Sequence, residues 1–133
     1  MKLHEHKNSK KQGDAGLGVA IGWFAANGVT VCVPLTDSQS YDLIVDDGRL
    51  RRVQVKTTSH RNSDGRFRVE LRTKGGNRSG IGKTKVLDPS QIDEVFIVTS
   101  DNDLFRIPAD MLAGTSTISL GSRHEKFRVT TGG

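Results

Sequence analysis

The sequence predicts one α/β domain, a single helix ahead of a sheet rich in antiparallel pairs. Three observations carry that reading. A stretch with helical spacing of apolar residues comes first. Short apolar runs paired across tight turns follow it, and 133 residues with no repeat or linker leave room for one domain. We place a basic N-terminal arm at residues 1–12 and the domain proper at 13–133.

The helix runs from Asp14 to Asn27, with Leu17, Ile21 and Phe24 on one stripe and Ala20 beside them. Asp14 falls at its cap or in its first turn, where a carboxylate suits the helix dipole. Asn27-Gly28 closes it. Gly16, Gly18 and Gly22 each weaken the helix by about 1 kcal/mol against Ala, and close packing on a sheet is the use we expect for them. Val29 to Val33 forms a short strand. Tyr41 to Asp46 and Leu50 to Thr57 form a hairpin around Asp47-Gly48-Arg49.

Arg66 to Arg72 alternates, with Phe67, Val69 and Leu71 on one face and Arg66, Arg68, Glu70 and Arg72 on the other. That is a half-buried strand with a basic face. Thr73 to Lys85, rich in glycine and basic residues, reads as a mobile loop. Glu94 to Ser100 and Leu104 to Ile107 form a second hairpin turning at Asp101 to Asp103. A short helix from Pro108 to Leu112 and a last strand from Lys126 to Thr130 complete the chain.

The net charge of +5 hides a strong asymmetry. Residues 13–48 carry five Asp and no Lys or Arg, whereas residues 49–85 carry twelve Lys or Arg against Asp64 and Glu70. A basic segment of that density points to a polyanion, and the strand and loop within it suit a phosphate backbone. No apolar run reaches the roughly 18 to 20 residues that span a bilayer, so no membrane role is expected. The charged N-terminus does not read as a signal peptide. Cys32 is the only cysteine, which removes a disulfide framework and a cysteine zinc site. A reducing, cytoplasmic setting fits.

The chemistry gathers at the first hairpin. If Asp47-Gly48-Arg49 is a three-residue loop, Asp46 pairs with Leu50 and Asp42 lies opposite Gln54. A two-residue turn would set Asp42 against Val53 and leave Gln54 and Lys56 on the far face. We expect the three-residue loop or an equivalent bulge. Asp42 and the Gln54 amide oxygen then grip one hard cation such as Mg²⁺, with Lys56 one pleat further on. A metal there polarises a phosphodiester and lowers the pKa of a water, and Lys56 orients or deprotonates that water or stabilises the developing charge. Asp14, at the start of the helix, joins as a second carboxylate.

The string Tyr41-Asp42-Leu43-Ile44-Val45, then Val53-Gln54-Val55-Lys56-Thr57, after a Gly13-Asp14 helix, resembles the PD-(D/E)XK nuclease superfamily. Within it the chain is similar to the small endonucleases associated with group I introns and, more distantly, to archaeal-type Holliday junction resolvases. Tyr41 stands where the motif has proline, and Gln54 stands where it has an acid. The resemblance implies a restriction-endonuclease-like core. It also implies catalytic residues at Asp42, Gln54, Lys56 and Asp14, with Asp42, Gln54 and Asp14 holding the metal.

The expected function is a Mg²⁺-dependent DNA endonuclease, with Mn²⁺ able to substitute. Its phosphate contacts are Arg51, Arg52, Arg66, Arg68, Arg72, Lys74, Arg78, Lys83 and Lys85. A domain this small cuts two strands by assembling two sites, so a homodimer or a higher symmetric homo-oligomer is expected. The alternatives are a structure-selective Holliday junction resolvase and a non-catalytic DNA-binding module on a decayed nuclease fold.

Overall fold

A computed structural model of the chain describes residues 9–74 and 84–130. The elements in order are α1 (Ser9–Ala26), β1 (Thr30–Cys32), β2 (Leu43–Asp46), β3 (Leu50–Thr58), β4 (Arg68–Glu70), β5 (Thr73–Lys74), β6 (Thr84–Lys85), β7 (Glu94–Thr99), β8 (Leu104–Pro108), β9 (Thr117–Ser119) and β10 (Arg128–Val129). Short 3₁₀ helices at Ala109–Leu112 and Ser122–Phe127 fill the C-terminal third. No helix among the described residues is long and apolar enough to cross a membrane.

Six strands form one sheet in the order β1-β2-β3-β7-β8-β10. The pairing is antiparallel throughout except for β3 and β7, which run parallel from Val53↔Glu94 to Thr58↔Thr99. A parallel pair needs a long crossover, usually a helix. Here residues 59–93 supply it, and β4 within that crossover pairs with β9 from the C-terminal part of the chain in a small second sheet. The expected basic loop has paired ends, because Thr73–Lys74 and Thr84–Lys85 form an antiparallel ladder.

Each face of the large sheet has its own core. On one face α1 lays Ala20 and Phe24 over Leu43, Val45, Val53, Phe96, Val98 and Leu104. On the other, Val95, Ile97, Phe105 and Ile107 meet Phe67, Val69, Leu71 and Leu120 from the β4–β9 layer. The β4 alternation holds as expected: Phe67, Val69 and Leu71 are buried and the charged residues between them are exposed.

Several expectations need correction. The helix starts at Ser9, inside the arm placed at residues 1–12, so Asp14 sits in the second turn and no acidic residue occupies the first. The buried stripe is Gly16-Ala20-Phe24, while Leu17 and Ile21 are half-buried. Gly16 sets the stripe's position: a Cβ there would overlap the Thr57 methyl, so only glycine lets α1 sit this close to β3. Gly18 and Gly22 face open space and serve no such approach. The last strand is only Arg128–Val129, because residues 122–127 coil into a 3₁₀ helix.

Candidate active site

The hairpin register is the one on which the site depends. Asp46↔Leu50, Val45↔Arg51, Ile44↔Arg52 and Leu43↔Val53 pair across a three-residue Asp47-Gly48-Arg49 loop, with Gly48 at φ 106° and its N–H donating to Asp46 Oδ1 at 3.0 Å. Positive φ at the loop centre favours glycine over any residue with a Cβ.

The ladder becomes irregular where the chemistry begins. Asp42 lies just outside β2 and donates its N–H to the Val53 carbonyl at 2.8 Å. Its carboxylate Oδ2 then accepts the Val55 N–H at 2.7 Å, standing in for a backbone acceptor. Asp42 therefore reaches β3 at the residue between Gln54 and Lys56. Its other carboxylate oxygen accepts no hydrogen bond among the described residues.

Gln54 is buried, and its Nε2 donates to the Ser40 carbonyl at 3.0 Å. That bond fixes the amide so that Oε1 faces inward, buried and without a hydrogen-bond partner. A buried carbonyl oxygen left unpaired costs about 1–3 kcal/mol of desolvation, so it marks a place where stability alone does not explain the side chain. Lys56 is half-buried and donates to the Arg72 carbonyl at 3.3 Å.

The electrostatics match this geometry. Partial burial pushes the Asp42 carboxyl above its ordinary pKa, while the Val55 N–H and the Lys56 charge oppose the rise. Burial lowers the Lys56 pKa, against the opposing pull of Asp42 and Glu70. Asp42, exposed at the surface, and half-buried Lys56 thus sense each other's charge at one stretch of β3.

Asp14 is exposed on α1, about 160° around the helix from Gly16 at 100° per residue. The helix packs on the face of β3 that carries Val53 and Thr57, whereas Gln54, Lys56 and Thr58 alternate to the other. No described interaction joins Asp14 to Asp42, Gln54 or Lys56, and no group of three or more His, Cys, Asp or Glu gathers among the described residues. The structure thus brings together Asp42, Gln54 and Lys56.

The arginines divide. Arg52 donates from Nε and Nη2 to both oxygens of Asp93 and from Nη1 to the Ser90 carbonyl, and its N–H also meets Asp93. It clamps β3 to the segment ahead of β7. Arg51 pairs with Asp47, Arg66 with Asp64 and Arg72 with Glu70, all on the surface. Arg68 is exposed and enters no ion pair among the described residues. Lys74 and Lys85 lie on β5 and β6, and Arg78 and Lys83 fall outside the described residues. Spacing did not reveal Ser40, Arg72 or Asp93 as partners, because each meets its residue through a backbone carbonyl or across the crossover.

A family model described as PD-(D/E)XK endonuclease matches residues 7–129. The chain belongs to the PD-(D/E)XK endonuclease family. Among solved structures, this nuclease is similar to a bacterial homing endonuclease, I-Ssp6803I, with a TM-score of 0.77 and 26% sequence identity. The likeness covers 91% of this chain and 88% of that one. No curated protein matches the sequence. The helix followed by a mixed sheet is the family's core, and the expected restriction-endonuclease-like class stands.

The residues present fit a divalent cation. Hard cations take oxygen ligands, and two oxygen donors meet β3 at adjacent positions: Gln54, with its unpartnered Oε1, and Asp42, held at the Val55 N–H with its other oxygen accepting no hydrogen bond among the described residues.

Proposed function

We propose that this nuclease is a divalent-metal-dependent endodeoxyribonuclease that hydrolyses phosphodiester bonds by an activated water and acts as an oligomer. The observation that carries the reading is the buried, unpartnered Gln54 Oε1, one residue before the Val55 N–H that holds the Asp42 carboxylate. Mg²⁺, or Mn²⁺ in its place, would be held by these two residues and would supply the positive charge that polarises the phosphodiester and eases ionisation of a water.

The chain's own groups do the rest. The Val55 N–H holds the Asp42 carboxylate and the Ser40 carbonyl holds the Gln54 amide, so both oxygen donors are oriented before a ligand arrives. Lys56, anchored at the Arg72 carbonyl, presents a partly desolvated ammonium. There it orients the water, or stabilises charge on the phosphate as it becomes pentacovalent. Asp14, on the side of α1 turned away from β3, stays outside this set of groups.

DNA is the substrate. Arg68 contacts a phosphate directly, and Arg51, Arg66 and Arg72 exchange exposed carboxylates worth about 0–1 kcal/mol each for phosphates. Lys74, Arg78, Lys83 and Lys85 are further phosphate contacts in this reading. Cutting both strands takes two sites, and hence two copies.

The test incubates purified protein with linear duplex and with four-way junction, in Mg²⁺, Mn²⁺ or EDTA. Metal-dependent nicking of linear duplex, absent in EDTA, is the expected result. Nicking confined to the junction makes the enzyme a resolvase. Binding without cutting in either metal overturns the enzymatic reading in favour of a DNA-binding module.

A further inference from the structure

The two edges of the large sheet are built differently. At one edge, β10 is two residues long and guarded by charge: Arg128 pairs with Asp103 at 2.6 Å and with Glu125 at 2.8 Å. The chain beyond it is tied down, because the Thr130 carbonyl accepts the Trp23 indole N–H at 2.7 Å. Short strands, charges and covering chain are the usual means of blocking an edge from further pairing.

The β1 edge is short as well, three residues ending just before Val33-Pro34, but among the described residues it carries no charge and no covering chain. Its three residues pair with β2 on one side, and among the described residues no backbone group meets them on the other. No charged residue stands anywhere between Asp14 and Asp37. The chain leaving β1 exposes Val33 at 55% and Leu35 at 102% of their full surface. An uncharged strand with an open ladder and an exposed leucine beside it is suited to another strand.

We propose that this edge is the dimer interface, with β1 pairing antiparallel to β1 of a second copy of the chain. The proposal rests on the oligomeric reading above and names its surface. Antiparallel pairing of a strand with itself is two-fold symmetric, so one patch serves both protomers. Uncharged edge then meets uncharged edge without repulsion, and Val33 and Leu35 of each copy are covered by the other.

The geometry also serves the substrate. Only β2 separates β1 from the catalytic strand β3. Joining two sheets at β1 puts the two β3 strands five strand spacings apart, about 24 Å at about 4.8 Å each. That is close to the width of a duplex, so both sites face one DNA molecule.

Cys32 makes the proposal testable, because it is exposed, lies on β1 and is the only cysteine. Diagonal neighbours across an antiparallel ladder lie about 7–8 Å apart, within reach of a short bis-maleimide. Wild-type protein should elute with the mass of two chains or a multiple of it and form a covalent dimer through Cys32. The double variant Val33→Glu/Leu35→Glu should elute as one chain, keep its circular dichroism spectrum, lose the cross-link, and nick DNA without making double-strand breaks. An oligomer that gives no Cys32 cross-link, or a double variant that stays dimeric, overturns this interface while leaving the oligomeric reading intact. A wild-type monomer that still cuts both strands overturns both.

Discussion

Arg52 and Gln54 are neighbours on one face of β3, yet the protein treats them in opposite ways. Arg52 has its guanidinium and N–H matched by Asp93 and the Ser90 carbonyl. Gln54, more deeply buried, has one half of its amide held and the other left without a partner. Two residues along, Lys56 is partly desolvated as well. One end of the strand is therefore built for stability, and the other leaves a buried polar atom, Gln54 Oε1, unmet within the protein, as a ligand-binding end would.

The sharpest way to break that contrast is at Asp42. Asp42→Asn should lower the rate of metal-dependent cleavage by about 10³-fold, since it removes the carboxylate that, among the described residues, meets β3 between Gln54 and Lys56. If the purified variant cuts as fast as wild type, the catalytic end has been misplaced. A related expectation concerns acid. Because desolvation raises the Asp42 pKa against the opposing Val55 N–H and Lys56 charge, the carboxylate takes up its proton at a higher pH than a fully solvated aspartate does. Cleavage should therefore fall with decreasing pH earlier than such an aspartate would predict, as a pH–rate profile would record.

Arg52→Ala tests the other end. It strips Asp93 and the Ser90 carbonyl of charge-assisted partners, and unfolding in urea should show a loss of about 2 kcal/mol. The cleavage rate per folded molecule should not change. A selective loss of DNA affinity at unchanged stability would return Arg52 to the phosphate contacts.

Gln54→Glu adds a charge to the oxygen donors. Titrating Mg²⁺ while following thermal unfolding should reveal about tenfold tighter binding, and weaker binding would contradict Gln54 as a ligand. The smallest change belongs to Gln54→Met. Without metal, its stability should lie within about 1 kcal/mol of wild type, because an unpaired buried oxygen is removed along with one hydrogen bond. A loss matching that of Arg52→Ala would show that Gln54 is as structural as Arg52.

How much of this was legible in the sequence depends on how local each feature is. The Asp47-Gly48-Arg49 loop and the alternation of Phe67, Val69 and Leu71 are set within a few residues, and both could be read directly. The motif residues Asp42, Gln54 and Lys56 were legible through the resemblance of the strings around them, and the register sets Asp42 against that stretch of β3. The start of α1 could not be read, because Ser9–Gln12 has little apolar periodicity and is held by contacts such as Gln12 to Ser59 at 3.0 Å. Nor could the buried stripe, since glycine at position 16 counts as a helix breaker until Thr57 is seen against it. The parallel β3–β7 pairing and the Arg52–Asp93 clamp join residues some forty positions apart, and charge counting cannot tell a paired arginine from a free one.

The Trp23 indole reaches from the first helix to the carbonyl of Thr130, across 107 positions of sequence. The entropy of closing a loop grows with its length, so this contact is among the costliest in the fold to bring together. The chain has no other tryptophan. Its intrinsic fluorescence is thus a built-in gauge of whether the two ends of the domain are joined. A refolding trace followed at that single chromophore would time the closure of the whole molecule without any label.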